Sequence, residues 1–234
     1  MEAYLGEFLG TMVLLFLGNC VVANVVLNKT KGHGSGWPVI TLGWMVAVMV
    51  PVMMFGKMSG AHFNPAVTLG LAISNNFVWA KVPGYIGCQM AGGIISGILV
   101  FIFYRQHFNI TEDKDTKLAV FATAPAIRST VDNFICEFMA TFMLLFAILG
   151  ATVYASDVPG PIAVAAIILA MGTALGGTTG YAINPARDLG PRIAYSLCPI
   201  KDKRDPDWGY SWIPVVAPLL GGLAGGLAGM AVFM

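Results

Sequence analysis

The sequence predicts an all-α membrane protein, with six transmembrane helices and two re-entrant half-helices arranged as an inverted repeat. Three observations carry that prediction. Of 234 residues, 57% are hydrophobic and 11% charged, against about 45–50% apolar and about 25% charged in soluble domains. Six apolar runs approach or exceed the roughly 20 helical residues that cross a hydrocarbon core about 30 Å thick. The triplet Asn-Pro-Ala occurs twice, at 64–66 and 184–186, each time ahead of an apolar segment too short to span.

The first run, Tyr4 to Leu27, follows Met1-Glu2 with no basic stretch or cleavage site, so it reads as a retained span rather than a signal peptide. Pro38 to Phe55 is the second span. The short segment Pro65 to Ser74 follows, and Val82 to Tyr104 completes repeat one, about residues 1–105. A polar stretch of about 106–130 reads as a linker. Repeat two, about 131–234, holds Phe134 to Tyr154, Pro161 to Leu175, the short segment Pro185 to Cys198, and Trp212 to Phe233. Backbone at membrane depth must find its hydrogen bonds internally, so the two short segments belong inside protein or against a water-filled cavity.

The halves correspond residue by residue. Glu7-Phe8-Leu9-Gly10-Thr11 matches Glu137-Phe138-Met139-Ala140-Thr141 at an offset of 130, and Asn64-Pro65-Ala66 matches Asn184-Pro185-Ala186 at an offset of 120. Each half has three spans, an odd number, so the halves enter the membrane from opposite sides. Interrupted segments at equivalent places of an inverted repeat mark the site of permeation or binding. Asn is a good N-cap and Pro a favoured first helical residue, so each triplet starts a helix. Two such N-termini, each carrying about half a positive charge, would then meet at mid-membrane.

Several functions are excluded. Thirteen Lys and Arg against twelve Asp and Glu leave a formal charge of +1, which gives no field for nucleic acid. Cys20, Cys88, Cys136 and Cys198 have no metal spacing and read as small core residues; His33, His62 and His107 are scattered. No enzyme, cofactor or metal site is expected. Gly221, Gly225 and Gly229, and Gly93 with Gly97, recur every four residues and favour close helix packing.

The stretches Ser59-Gly60-Ala61-His62-Phe63-Asn64-Pro65-Ala66 and Gly180-Tyr181-Ala182-Ile183-Asn184-Pro185-Ala186-Arg187-Asp188 resemble the aquaporin (major intrinsic protein) family, and the resemblance extends over essentially the whole chain. Asp188, Arg192 and Pro214 are the residue types of its glycerol-facilitator (aquaglyceroporin) branch. The resemblance implies a passive channel for glycerol, water and other small uncharged solutes, with a selectivity filter of Trp44, Gly172, Tyr181 and Arg187. Water channels generally carry a histidine at the position of Gly172, so glycine there should open the lumen. Trp44 and Tyr181 would form a greasy corner, with Arg187 opposite. The facilitators usually have Phe where this chain has Tyr181, and a phenol narrows the lumen or adds a polar contact.

By the same resemblance, the carbonyls of Gly60, Ala61, His62 and Phe63, and of Gly180, Tyr181, Ala182 and Ile183, form a ladder of acceptors. The amides of Asn64 and Asn184 donate at its centre. Glu7 and Glu137 support the re-entrant loops, with His62 packed beside the first triplet. The family also implies a homotetramer in a plasma membrane, bacterial by its short termini, with both termini cytoplasmic. Charge points the other way: in that orientation only Lys57 and Lys81 lie in cytoplasmic loops, and nine Lys and Arg lie outside. The alternatives are a facilitator for another neutral solute, such as undissociated lactic acid or dihydroxyacetone, an ion-coupled secondary transporter relaying through Glu7 and Glu137, or a junction protein on the same scaffold.

Overall fold

The computed structural model describes residues 1–234, and every regular element in it is helical. In chain order these are α1 (Glu2–Val26), α2 (Trp37–Ser59), α3 (Pro65–Ile73), α4 (Val82–Ile110), α5 (Lys114–Ala119), α6 (Thr130–Tyr154), α7 (Gly160–Ala170), α8 (Pro185–Leu197), α9 (Trp208–Ser211) and α10 (Ile213–Phe233). Five helices, α1, α2, α4, α6 and α10, are long and apolar enough to cross a membrane. The sixth expected span is shorter. It consists of α7 and a π-helical turn, Met171–Leu175.

The ends follow local chemistry. Pro38, Pro65, Pro161, Pro185 and Pro214 stand in the first turn of their helices, where a missing N–H costs nothing. α2 runs four residues past the apolar pattern and stops at Gly60, whose φ of 86° turns the chain into the first re-entrant loop. α4 continues six residues past Tyr104 and is held there by His107, whose Nδ1 lies 2.9 Å from the carbonyl of Asn28.

Packing is symmetric between the halves. α1 lies on α4 as α6 lies on α10; α3 packs on α10 as α8 packs on α4; and α2 meets α7 between them. Each half-helix is therefore held mainly by a helix of the other repeat. α10 reaches two partners because it carries glycine on two faces. A Cβ at Gly221 or Gly225 would sit 2.3 or 2.4 Å from the carbonyl oxygens of Phe138 and Phe142 on α6. At Gly222 or Gly226 it would sit 2.6 or 2.4 Å from those of Ala66 and Gly70 on α3. Backbones in contact at that distance leave no room for any side chain, which is how small residues bind helices in lipid.

The polarity runs inside out. Leu42, Met53, Met54, Ile102, Phe103 and Met139 are exposed on the flanks, whereas Glu7, Glu137, Asp188 and Arg192 are fully buried. In a bilayer that is the economical distribution, because lipid accepts the apolar flanks and the charges find partners within. The linker departs from expectation. Its run Leu118-Ala119-Val120-Phe121-Ala122 is apolar, and Leu118, Val120, Phe121 and Ala122 are buried in the core rather than forming a polar join. The Phe121 ring packs between Phe108 and Tyr195. The cysteines also differ: Cys198 is buried, but Cys20, Cys88 and Cys136 are only partly so.

Candidate pore

The two re-entrant loops are built alike. Gly60, Ala61 and Phe63 have φ of 86°, 55° and 50°, and Gly180, Tyr181 and Ile183 have 82°, 38° and 44°. Four of these are non-glycine residues in the left-handed region, each costing on the order of 1–3 kcal/mol unless its surroundings hold it. Two buried carboxylates do so. Glu7 accepts from the backbone N–H of His62 at 3.0 Å and of Phe63 at 2.8 Å, and from Gln89 Nε2 at 2.7 Å. Glu137 accepts from the N–H of Ala182 at 2.9 Å and of Ile183 at 3.0 Å, and from Thr179 Oγ1 at 2.6 Å. His62 sits beside the first triplet with Nδ1 3.1 Å from Thr68 Oγ1.

The half-helices meet head to head. Asn64 Oδ1 accepts from the N–H of Ala66, and Asn184 Oδ1 from those of Ala186 and Arg187. Each Asn then spends one amide hydrogen on the opposite loop. Asn64 Nδ2 donates to the carbonyl of Ile183 at 2.8 Å, and Asn184 Nδ2 donates to that of Phe63 at 2.9 Å. One hydrogen per amide is left for the lumen. The carbonyls of Phe63 and Ile183 thus serve the junction first, and only their second lone pairs can join a ladder. Pro65 and Ala66, with Pro185 and Ala186, are buried in the first turns behind them.

A cavity of about 300 Å³ runs along these loops. Its apolar lining comes from Leu14 of α1, Val48 and Val52 of α2, Val67 and Leu71 of α3, Leu144 and Ile148 of α6, and Val164 and Ile168 of α7. The re-entrant loops, residues 60–63 and 181–183, line it as well, together with the polar side chains of Asn64, Asn184 and Arg187. Gly180 does not border it.

The structure brings Trp44, Tyr181 and Arg187 together on this cavity but in a different arrangement from the expected one. The Arg187 guanidinium lies over the Trp44 ring, 4.4 Å from its centroid, rather than across the lumen from it. Stacking on the indole face satisfies a cation that has little water to turn to. Gly172 does not line the cavity. A Cβ there would lie 2.9 Å from both Cζ and Oη of Tyr181, so the space that glycine frees is filled by the Tyr181 ring. Trp37 braces the arrangement, donating from Nε1 to the Gly172 carbonyl at 3.1 Å and meeting the Tyr181 ring edge to face.

Tyr181 Oη is buried and has no hydrogen-bond partner. The phenol oxygen is therefore turned out of the lumen, and the solute meets ring carbons as it would with phenylalanine. Tyr181→Phe should leave glycerol and water permeabilities within about twofold of wild type and raise stability by up to about 1 kcal/mol. Light scattering from vesicles and thermal unfolding check both. A tenfold change in the permeability ratio would return the hydroxyl to the lumen.

Asp188 and Arg192 form a buried ion pair, Nε to Oδ1 at 2.8 Å, one helical turn apart on α8. They bond the linker and the Pro206–Asp207 backbone rather than the lumen. Pro214 is buried in the first turn of α10 and does not border the cavity. Lys203 caps the far end of α8, donating to the carbonyls of Tyr195, Ser196 and Cys198 at 2.7–2.8 Å. Desolvation lowers its pKa from the usual lysine value. Sequence reasoning missed the apolar lining, Gln89, Thr179 and the linker. For Thr179 a signal existed, because the 120-residue offset pairs it with Ser59.

The family model described as Major intrinsic protein matches residues 1–228. A probable glycerol uptake facilitator protein of Thermotoga maritima is 52% identical over 224 residues, 95% of this chain and 96% of that one. A glycerol uptake facilitator protein of Streptococcus pneumoniae is 50% identical over 94% of this chain and 95% of its own. Among solved structures, the X-ray structure of the aquaglyceroporin from Plasmodium falciparum superposes with a TM-score of 0.85 at 33% identity, covering 99% of this chain and 96% of that one. Two asparagine-capped half-helices joined head to head, in a chain that matches these proteins almost end to end, place it in the major intrinsic protein family.

Proposed function

We infer that this integral membrane protein is a passive channel for glycerol and similar small uncharged solutes. The observation that carries the reading is the mixed lining of the lumen, where apolar side chains from five helices share one cavity with both re-entrant loops, two amide side chains and a guanidinium. A polyol has hydroxyls along one edge and CH groups along the other, so it can meet both kinds of lining at once. The relatives' names concern glycerol, and they support that solute over lactic acid or dihydroxyacetone. Nothing chemical need happen to the solute.

Ions meet the opposite conditions. Two helix N-termini, each worth about half a positive charge, converge on Asn64 and Asn184, and Arg187 adds a full one. Cations are repelled there, and no carboxylate is free to compensate. Glu7 and Glu137 have their oxygens committed to the loops, which argues against a relay for an ion-coupled transporter. The filter is assigned to Trp44, Tyr181 and Arg187, with Gly172 acting through the space it leaves for Tyr181. The resemblance supports a homotetramer with one lumen per subunit in a bacterial plasma membrane, and cytoplasmic termini despite the basic loops on the other side.

The test is stopped-flow light scattering on proteoliposomes given an inward glycerol gradient, with a sucrose gradient and empty vesicles as controls. Fast shrinkage followed by fast re-swelling in glycerol alone is expected, unaltered by ionophores. Shrinkage without re-swelling would make the protein a water channel, and collapse of flux with an ionophore would make it a coupled transporter.

A further inference from the structure

The only protein hydrogen bond made by the Arg187 side chain is to the carbonyl of Phe121, at 3.4 Å. Phe121 belongs to neither re-entrant loop nor any pore helix; it lies in the linker, 66 residues away in sequence. The place of the filter cation therefore depends on what holds the linker. Two residues on, Thr123 commits every polar group it has to α8. Its N–H and its hydroxyl both donate to Asp188 Oδ2 at 2.7 Å, and its carbonyl accepts from Arg192 Nη2 at 3.0 Å. Asp188 and Arg192 are fully buried and Thr123 nearly so.

Adjacent residues of α8, Arg187 and Asp188, thus engage the linker at alternate positions, 121 and 123. This two-point register leaves the linker no freedom to slide along the half-helix. The side chain of Thr123 also lies against the second loop: a Cβ at Gly180 would meet its Cγ2 at 3.4 Å. We propose that Thr123 is a positioning residue of the filter, whose hydroxyl bond to Asp188 fixes the register at which the Phe121 carbonyl holds Arg187 against Trp44. Asp188 and Arg192 act in the same device. A guanidinium that leaves Phe121 and Trp44 swings into the lumen that it lines with Trp44 and Tyr181, where it obstructs a three-carbon solute more than water.

The proposal rests on the reading of the protein as a glycerol channel, and the test separates the two. Thr123→Val keeps the shape and the backbone bonds but removes the hydroxyl. Loss of one hydrogen bond to a buried charge predicts a glycerol permeability lower by roughly fivefold, with water changed less than twofold and protein abundance in the vesicles equal to wild type. Thr123→Ser, which restores the hydroxyl without the methyl, should return the glycerol-to-water ratio to the wild-type value. Thr123→Ala makes the same deletion where valine does not reach the membrane. A wild-type ratio in the valine or alanine variant, or an altered ratio in the serine variant, overturns the positioning role. Failure of wild-type vesicles to pass glycerol instead overturns the channel reading.

Discussion

Glu137→Ala is expected to destabilise the protein by about 3–5 kcal/mol, because it leaves buried donors without an acceptor. The carboxylate is fully buried and holds the N–H of Ala182, the N–H of Ile183 and the hydroxyl of Thr179. Those amides directly follow Tyr181 and include that of Ile183, and both residues are in the left-handed region, so the same contacts also hold a strained backbone in place. Glu137→Gln keeps the volume but turns an amide hydrogen toward a backbone donor, and about half of the loss should remain. Denaturant titration of the three proteins in one detergent gives the order wild type, glutamine, alanine. Flux through any Glu137→Gln protein that inserts should stay independent of ion gradients. An alanine variant as stable as wild type would remove the carboxylate from its supporting role, and ion-dependent flux lost only on amidation would restore the transporter reading.

That pair of carboxylates was legible in the sequence because ionisable residues in apolar spans are rare and these two are related by the repeat. The same logic located Asn64 and Asn184, whose capping role follows from residue type alone. The apolar runs gave six helices within a few residues at most ends. Legibility failed where function depends on packing between distant segments. Nothing in Gly172 or Tyr181 alone says that one occupies the space left by the other, nor that Arg187 stacks on Trp44 instead of facing it. The linker was misread for a related reason. Lysines, aspartates and threonines around 111–117 give it a polar composition, but Leu118, Val120, Phe121 and Ala122 are core, and they bring Phe121 and Thr123 to the filter. Asp188 and Arg192 were legible as markers of a branch, while their task of clamping that linker needed the structure.

Gly172→Ala should lower glycerol permeability by roughly tenfold, a barrier change of about 1.4 kcal/mol, and Gly172→His should lower it further. One methyl group suffices. The added Cβ would stand 2.9 Å from Cζ and Oη of Tyr181 and 3.0 Å from Cγ2 of Thr41, so the ring has to move. It cannot retreat past Trp37, whose ring centroid lies 5.9 Å away, nor toward Gly176, where a Cβ would already lie 2.6 Å from Tyr181 Cδ1. The open side is the lumen, and the displaced ring narrows the passage beside Arg187 and Trp44. Water, the smaller solute, should lose less than glycerol. If the ring is the obstruction, removing it should reverse the effect, so Gly172→Ala combined with Tyr181→Ala should recover most of the glycerol flux. The two substitutions share one contact and should be strongly non-additive. Equal loss of water and glycerol in Gly172→Ala, or additivity in the double variant, would mean that Gly172 acts on the fold of the π-turn and not through Tyr181.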